Sequence, residues 1–252
     1  MLRDYSDKIT SLKSNSVKVT LTVGKTGSGK LKKYASAPGY ILLKRPDSIL
    51  LNIQYPVTKT TILELLSVGD QFAVWNPSEN KFYVGRNSIK EFELEGDGDM
   101  PSFSARPVHI FQAILPESTS LDQPDRRVML TEEQDADAAY YVLTFAQETG
   151  GSELRALRRL WIERSQMVVA KEEAYTETGQ VASVVDYSDR GEFDHILLPK
   201  LIHIERPLDG YKLDLKFGSW NVNPDLPDSD FTLKPPERAE RIVLKEKGRS
   251  GN

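Results

Sequence analysis

The segment 24–30, Gly-Lys-Thr-Gly-Ser-Gly-Lys, comes closest to a motif with known chemistry. A phosphate-binding loop has this spacing of its glycines and lysine. It also needs a Ser or Thr directly after the lysine, to coordinate magnesium, and a helix whose N-terminus faces the phosphates. Here Leu31 follows Lys30, and Pro38-Gly39 then leads into an apolar strand. The segment therefore predicts a flexible hairpin loop with solubilising lysines, and no nucleotide site.

The three histidines, His109, His195 and His203, are the next candidates for chemistry. No two of them have the i, i+4 spacing of a helical metal site. A catalytic histidine also needs an orienting partner, and the sequence does not show one. We therefore predict that His109 lies on a helix surface and that His203 lies on the exposed face of a strand.

Acidic clusters occur at 96–99 and at 132–137, but neither has the spaced ligands and closing Glu of a calcium loop. We interpret both as solvated turns. The chain has no cysteine, which excludes a Cys nucleophile, and no Gly-x-Ser-x-Gly segment, so the nucleophile elbow of a serine hydrolase is absent from the sequence. An enzyme would need a convergent pocket of titratable groups, and none can be assembled from these residues. The prediction is a protein without catalysis, cofactor or metal.

Composition excludes further classes. The chain has 252 residues and a formal net charge of -4, so it lacks the basic excess that nucleic-acid binding requires. No apolar run reaches the roughly 18 to 20 residues of a transmembrane helix, and the N-terminus has no hydrophobic signal core. The protein is therefore either cytosolic or exported with its signal removed.

Periodicity predicts elements that are mostly strands. Leu2, Tyr5, Ile9 and Leu12 are spaced by three and four, which predicts a helix within 1–15. Alternating apolar residues then predict about ten strands, with hairpin turns at sites such as 76–80. We interpret 152–160 as a loop leading into a strand, and the charged residues 240–252 as a frayed tail.

One helix is predicted in the middle of the chain, over 104–115. Ser104 is the expected N-cap, Pro107 lies in the first turn, and Pro116 follows the last residue. Its apolar residues surround most of its circumference. Such a helix must be covered on more than one side, or must itself cover something apolar.

These elements predict one domain spanning 1–252, built from a twisted sheet that curls into a barrel or half-barrel. Apolar residues on both faces of 71–75 and of 139–146 exceed what one covered face needs. Ordinary burial beneath the helix and a dedicated apolar cavity both explain this surplus. The candidate ligand-binding residues are Leu43, Arg45, Phe72, Val74, Trp75, Phe82, Val108, Phe111, Ile114, Leu115, Tyr141, Leu143 and Trp161.

Three segments resemble one family, the bacterial periplasmic lipoprotein carriers and outer-membrane lipoprotein receptors (LolA/LolB-like). They are 39–47, with a glycine, an apolar strand and a Lys-Arg-Pro corner; 67–77, a hairpin ending in Asn-Pro; and 230–236, with Phe-Thr-x-x-Pro-Pro. The resemblance implies an unclosed antiparallel barrel with helices across its mouth and a cavity for acyl chains. It also implies that Arg45 hydrogen-bonds the lid helices and helps to hold the empty cavity shut.

The chain departs from this family at three points. The insertion 116–134 and the charged group Arg155, Arg158 and Arg159 have no counterpart. A receptor would also carry an acylated N-terminal cysteine, which is either absent or was removed. A carrier, a receptor and a divergent lipoprotein of unknown cargo all remain open.

The resulting prediction is a non-catalytic protein of the periplasm or the periplasmic face of the outer membrane. It would bind the acyl chains of lipoproteins, or lipid, for transport or sorting. Other envelope sorting proteins are possible partners, nucleic acids and nucleotides are not, and a monomer is expected. The alternative is a structural or protein-interaction module of the envelope with a filled core and exposed sheet edges. An internal cavity would distinguish the two.

Overall fold

The computed structural model describes residues 8–24, 31–89, 106–116, 123–151 and 153–244. Strands dominate these residues. They are β1 Ser11–Val23, β2 Lys32–Lys33, β3 Ala37–Lys44, β4 Ser48–Gln54, β5 Thr61–Val68, β6 Gln71–Asn76, β7 Lys81–Arg86, β8 Arg126–Gln134, β9 Ala139–Glu148, β10 Leu154–Glu163, β11 Val168–Tyr175, β12 Val181–Phe193, β13 Ile196–Arg206, β14 Tyr211–Phe217, β15 Asn221–Val222 and β16 Glu240–Val243. The helix α1 is Pro107–Ile114, and a short 3-10 helix is Asp228–Phe231.

All of these strands belong to one sheet, with the order β16-β7-β6-β5-β4-β3-β1-β14-β13-β12-β11-β10-β9-β8. Short β2 and β15 pair with β1 beside this path. Neighbours are antiparallel, except that β16 runs parallel to β7. Within the described residues the end strands β16 and β8 do not pair with each other, so the barrel stays open. The mainly β fold and the unclosed barrel are confirmed.

Helix α1 lies on one face of this sheet, which we call the inner face. It packs against β4 and β5 on one side and against β13 on the other. These strands are separated in the sheet by β3, β1 and β14, so the sheet must curve around the helix to bring both into contact with it. Of the residues in α1 only Gln112 is exposed. The apolar circumference predicted for this helix is therefore explained by cover on several sides.

The opposite, outer face of β3–β5 is covered by residues 224–235, which we call the C-terminal strap. Leu226 and Phe231 of the strap pack against Leu42 and Leu50 in a second small core. At the end of β3, the Lys44 Nζ donates hydrogen bonds to the Leu226 carbonyl oxygen (2.9 Å) and to Asp228 (2.7 Å). The chain then continues to β16 at the edge of the sheet.

Several predicted elements are wrong in their bounds. Residues from Ser11 onward are strand and not helix, because Leu12 and Ser14 alternate into the inner face of β1, while 1–7 lie outside the described residues. The predicted tail is wrong over Glu240–Val243, which forms β16; 245–252 lie outside the described residues. The predicted loop 152–160 is mostly β10, and part of the insertion 116–134 is the strand β8.

Two further differences concern local motifs. The N-cap of α1 is Arg106, which makes no side-chain cap hydrogen bond, and the predicted cap Ser104 lies outside the described residues. The acidic segment 132–137 is a turn only from Asp135, because Glu132 and Glu133 belong to β8. For the glycine-rich segment, 25–30 lie outside the described residues. Lys32 and Lys33 pair antiparallel with β1, as in the predicted hairpin and unlike a nucleotide-binding loop.

Candidate functional site

The candidate site is the inner face of β3–β6 together with the helix that fills it. Successive side chains of a strand point to opposite faces of the sheet, so every second residue lies on the inner face. Residues paired across neighbouring strands lie on the same face. Leu43 lies opposite Ile49, and Val74 lies opposite Leu65. Six of the candidate ligand-binding residues meet in this single apolar core: Leu43, Phe72, Val74, Phe111, Ile114 and Leu115.

Four other candidates lie elsewhere. Trp75 and Phe82 are cross-strand partners on the outer face, with ring centroids 6.5 Å apart. Trp161 is also on the outer face, because it alternates with the inner-facing Leu160. Val108 is a half-buried residue of α1. The structure therefore does not bring Trp75, Phe82 and Trp161 to the face that α1 covers; their assignment rested on hydrophobicity, which does not determine which face a residue occupies.

Tyr141 and Leu143 occupy the inner face further along the sheet, on β9. Leu143 lies opposite Leu160, and Tyr141 lies opposite Ile162. Leu160 and Ile162 are buried, whereas Tyr141 and Leu143 are half-buried. The apolar inner face thus continues past the part of the sheet that α1 contacts.

Arg45, at the corner after β3, links two segments that cover the inner face. Its Nε–H donates a hydrogen bond to the Ile9 carbonyl oxygen (2.9 Å), and its Nη2–H donates one to the Pro116 carbonyl oxygen (3.3 Å). Pro116 follows the C-terminal end of α1, where backbone carbonyls lack partners within the helix. The guanidinium therefore fastens the end of α1 to the segment preceding β1.

A second fastening holds the same helix from the other side of the curve. The Tyr187 hydroxyl on β12 donates a hydrogen bond to the Ala113 carbonyl oxygen (2.7 Å). Sequence analysis missed this residue. The sequence could have indicated it, because Tyr187 lies two residues after Val185 on the same strand and therefore points to the same face. Val185 is an apolar residue that faces the core.

The N-terminal end of α1 meets a cluster of charged and polar groups. Arg206 Nη2 lies 3.4 Å from His109 Nε2, while Arg206 Nε is paired with Asp209 at 2.7 Å. Burial, with the nearby charges of Arg206 and Arg106, holds the pKa of His109 well below its usual value. His109 is accordingly neutral at neutral pH and able to accept a hydrogen bond from Arg206. It was predicted on a helix surface, but it faces the core side of α1.

Tyr211 lies beside this cluster and is fully buried. Burial raises the pKa of its phenol, so the group stays protonated at any physiological pH. No nucleophile–base pair forms in this cluster among the groups described. The arrangement positions the start of α1 and offers no obvious reaction.

A buried ion pair lies on the inner face of the far strands. Arg158 Nε and Nη2 contact the two carboxylate oxygens of Glu172 at 2.8 and 2.9 Å. Burial raises the pKa of Glu172 above its usual value, although Arg158 opposes that shift. Arg158 was noted in the sequence as one of three unplaced arginines, and its partner Glu172 was not identified because the pairing depends on strand register.

The outer face carries a groove of about 670 Å³ between β5–β7 and the C-terminal strap. Phe82 lines this groove together with Phe231 and Leu233, and Arg86 and Arg241 are its charged residues. Phe72, Ile89 and Leu244, which belong to the core that α1 covers, also line the groove, so it reaches around the β7 end of the sheet to that core. The His203–Asp214 pair (2.5 Å) is also on the outer face, in keeping with the surface role predicted for His203.

Two further observations concern metals and membranes. The part of the chain that the structure describes contains no cluster of three or more His, Asp or Glu side chains suited to a metal ion. Along the same residues, no helix has the length and apolar character needed to span a bilayer.

With this geometry in hand, the fold can be compared with known proteins. A LolA superfamily protein from Nitrosomonas europaea is similar over 92% of this chain and 96% of its own, with 20% identity and a TM-score of 0.54. A domain described as an outer-membrane lipoprotein-sorting protein from Vibrio parahaemolyticus is similar over 91% and 94%, with 11% identity and a TM-score of 0.55. The chain therefore has the fold of the LolA superfamily, as the sequence motifs predict.

The other comparisons do not identify a more specific family. A DUF1329 family protein from Desulfovibrio piger has 15% identity and a TM-score of 0.56, and covers 91% of this chain and 92% of its own. A family model described as "Uncharacterized protein" matches residues 117–235, slightly less than half of the chain. No curated protein is detectably similar in sequence.

Proposed function

We propose that this protein binds acyl chains, of lipoproteins or of free lipids, on the inner face of its sheet, without catalysis. Helix α1 would move aside to admit them. The observation that carries the proposal is the position of α1, an almost wholly apolar helix inserted between the two sides of the curved sheet. The fold supports it, since one similar structure is described as a lipoprotein-sorting protein.

The energetics of exchange favour a protein that needs no nucleotide. Moving α1 away exposes Phe111 and Ile114 together with the strand residues beneath them. When an acyl chain enters the same space, burial of each CH₂ group contributes about 0.8 kcal/mol of favourable free energy. The acyl chain therefore replaces the apolar contacts that α1 loses. The free energies of the closed and the loaded states stay similar, so loading is reversible.

Arg45 is the latch in this scheme. Its hydrogen bond to the Pro116 carbonyl would stabilise the closed position of α1 and would be lost when the helix moves, while its bond to the Ile9 carbonyl holds the guanidinium in place. A ligand that binds only the open state has an apparent affinity reduced by the fraction of protein that is closed. Weakening the latch should therefore tighten ligand binding, which is the opposite of what loss of a ligand contact would do.

Binding of a fluorescent C16 fatty acid tests this directly, with native mass spectrometry to establish stoichiometry. We expect saturable binding by the unmodified protein. Arg45→Ala should bind about tenfold more tightly and Tyr187→Phe about threefold more tightly, since a charged hydrogen bond that holds the helix closed contributes about 1.4 kcal/mol and a neutral one about 0.7 kcal/mol. Tyr175→Phe is the matched control for Tyr187, because its hydroxyl contacts Glu173 on the same strand, away from α1. Arg127→Ala is the control for Arg45, because it removes an exposed ion pair with Glu148.

The same titration can reject the proposal. If the folded protein and Arg45→Ala both show no saturable binding, α1 is a permanent part of a filled core. The protein would then be better described as an interaction module. Under the proposal, the protein acts in the periplasm or at the periplasmic face of the outer membrane, as a carrier or receptor that shields acyl chains from water.

A further inference from the structure

The far edge of the sheet is β8, and it is unusually open. Its residues after Arg126 are exposed, including three consecutive apolar side chains: Val128 (40%), Met129 (58%) and Leu130 (60%). Among the described residues β8 pairs with β9 alone. Natural edge strands are usually protected by proline, by charged side chains, or by a bulge. The charged residues of 126–134 lie towards its two ends, its centre 128–131 has no proline or charge, and its register with β9 is unbroken.

The free edge also presents unpaired backbone groups in a known order. Glu148 N–H donates to the Asp125 carbonyl, and Asp135 N–H donates to the Ala138 carbonyl, so odd-numbered residues of this strand hydrogen-bond towards β9. In an antiparallel ladder the alternate residues point the other way. The N–H and C=O groups of Val128, Leu130 and Glu132 therefore point outward from the sheet edge.

The charges of β8 are arranged to suit a second β8 in the antiparallel direction. Arginines occupy its start and glutamates occupy positions 132 and 133. A two-fold axis at Met129 would place Arg126 opposite Glu132 of the second copy, twice over. The same register places Val128 opposite Leu130 and Met129 opposite itself, which gives an apolar centre between two ion pairs.

We propose that β8 is a homodimer interface, in which two copies of this chain pair their β8 strands antiparallel about Met129. The pairing satisfies the outward backbone groups and covers the exposed apolar side chains. Because only one strand per copy takes part, the interface is small, and a dissociation constant on the order of 10 µM is expected. The monomer predicted from the sequence would then be the dilute form. This proposal does not depend on acyl-chain binding.

Single-cysteine crosslinking tests the pairing, since the natural chain has no cysteine. Residues facing each other across a non-hydrogen-bonded antiparallel pair have Cα atoms about 4.5 Å apart, within the range of a disulfide. Met129→Cys should therefore form a covalent dimer under mild oxidation. Met167→Cys is the matched control, because Met167 is also exposed (45%) but lies in the turn after β10.

Sedimentation of the unmodified protein and of charge variants tests the register. Arg126→Glu should weaken dimerisation about tenfold, because it turns two attractive cross-strand pairs into repulsive ones. Adding Glu132→Arg should restore the dimer, with Arg164→Ala introduced in both variants so that the new arginine does not face the cation that pairs with Glu132. The proposal is overturned if the protein stays monomeric at 200 µM, roughly twentyfold above the expected constant, or if Met129→Cys crosslinks no more than Met167→Cys. Preferential crosslinking of Leu130→Cys would overturn the register.

Discussion

In the strands β3–β7, which we call the strap half, neighbouring residues such as Leu42 and Leu43 are both buried. Helix α1 covers one face there and the C-terminal strap covers the other. In the strands β8–β12, which we call the edge half, polar contacts are far more prominent. Arg158 pairs with Glu172, and Arg159 and Lys171 flank the Trp161 ring at 4.5 and 4.7 Å. One end of the sheet is thus packed mainly with apolar side chains, whereas at the other end charged pairs lie among the apolar side chains.

The difference has a consequence for how each half tolerates change. Apolar packing loses stability in proportion to the volume removed, whereas a buried charge loses its compensation all at once when its partner is deleted. Truncation of a buried apolar side chain should therefore destabilise the strap half more. Removal of one charge of a pair should destabilise the edge half more.

The largest effect is expected in the edge half, from Arg158→Leu. The variant leaves the Glu172 carboxylate buried without a cation, which costs about 3–5 kcal/mol of the free energy of unfolding at neutral pH. Urea unfolding measures this loss. Arg164→Ala is the control, since its ion pair with Glu132 is largely exposed and contributes at most about 1 kcal/mol.

The same comparison has an internal check. Arg158→Leu combined with Glu172→Leu removes both charges and should recover most of the lost stability. The destabilisation of the single variant should also shrink at acidic pH, since protonation of Glu172 removes the uncompensated charge. A single variant no less stable than Arg164→Ala would show that the edge half does not depend on this pair.

Truncation in the strap half should have the next largest effect. Leu51 is completely buried beneath α1. Leu51→Ala should lower the free energy of unfolding by about 2–5 kcal/mol. Leu130→Ala on β8 should change it by less than about 0.5 kcal/mol, because that side chain is exposed. Equal losses in urea unfolding at low protein concentration would contradict the comparison.

The smallest expected effect is the pH dependence of stability that comes from His109, near the start of α1. The folded-state pKa of His109 is depressed, so the unfolded chain binds more protons and stability falls as pH drops below the unfolded value, towards the folded one. Thermal unfolding should therefore show a loss between about pH 7 and about pH 5. His109→Gln, which keeps an acceptor for Arg206, should reduce that loss. An unchanged pH profile would mean that other groups account for it.

The sequence predicted the class of fold well because alternation is a local property. The strand Ile49–Ile53 follows from alternation, and the helix after Pro107 follows from its apolar residues and from the prolines at its two ends. Only the start of β1, from Ser11, was mistaken for helix, because Ile9 and Leu12 have helical spacing. The tail was mistaken because β16 owes its structure to pairing with a distant strand, β7.

The candidate site was only partly predictable, for a related reason. Hydrophobicity selected Phe111 and Val74 as candidate ligand-binding residues, and both lie in the core that α1 covers. It could not separate them from Trp75 and Trp161, which are equally apolar but face outward, because the face depends on register. Arg45 was found through resemblance, whereas Glu172 and Tyr187 required the assembled sheet.

The position of β1 determines the order in which the strands of the sheet can pair. This strand lies in the middle of the sheet, yet its partner β14 begins at Tyr211. β7, formed by Lys81–Arg86, receives its last neighbour only when Glu240–Val243 arrives. Contacts between such distant segments form slowly, because a long loop must close before they provide any stabilisation. The sheet therefore cannot be completed until Glu240–Val243 has been synthesised, and until then β7 is an uncovered edge strand that can pair with another chain.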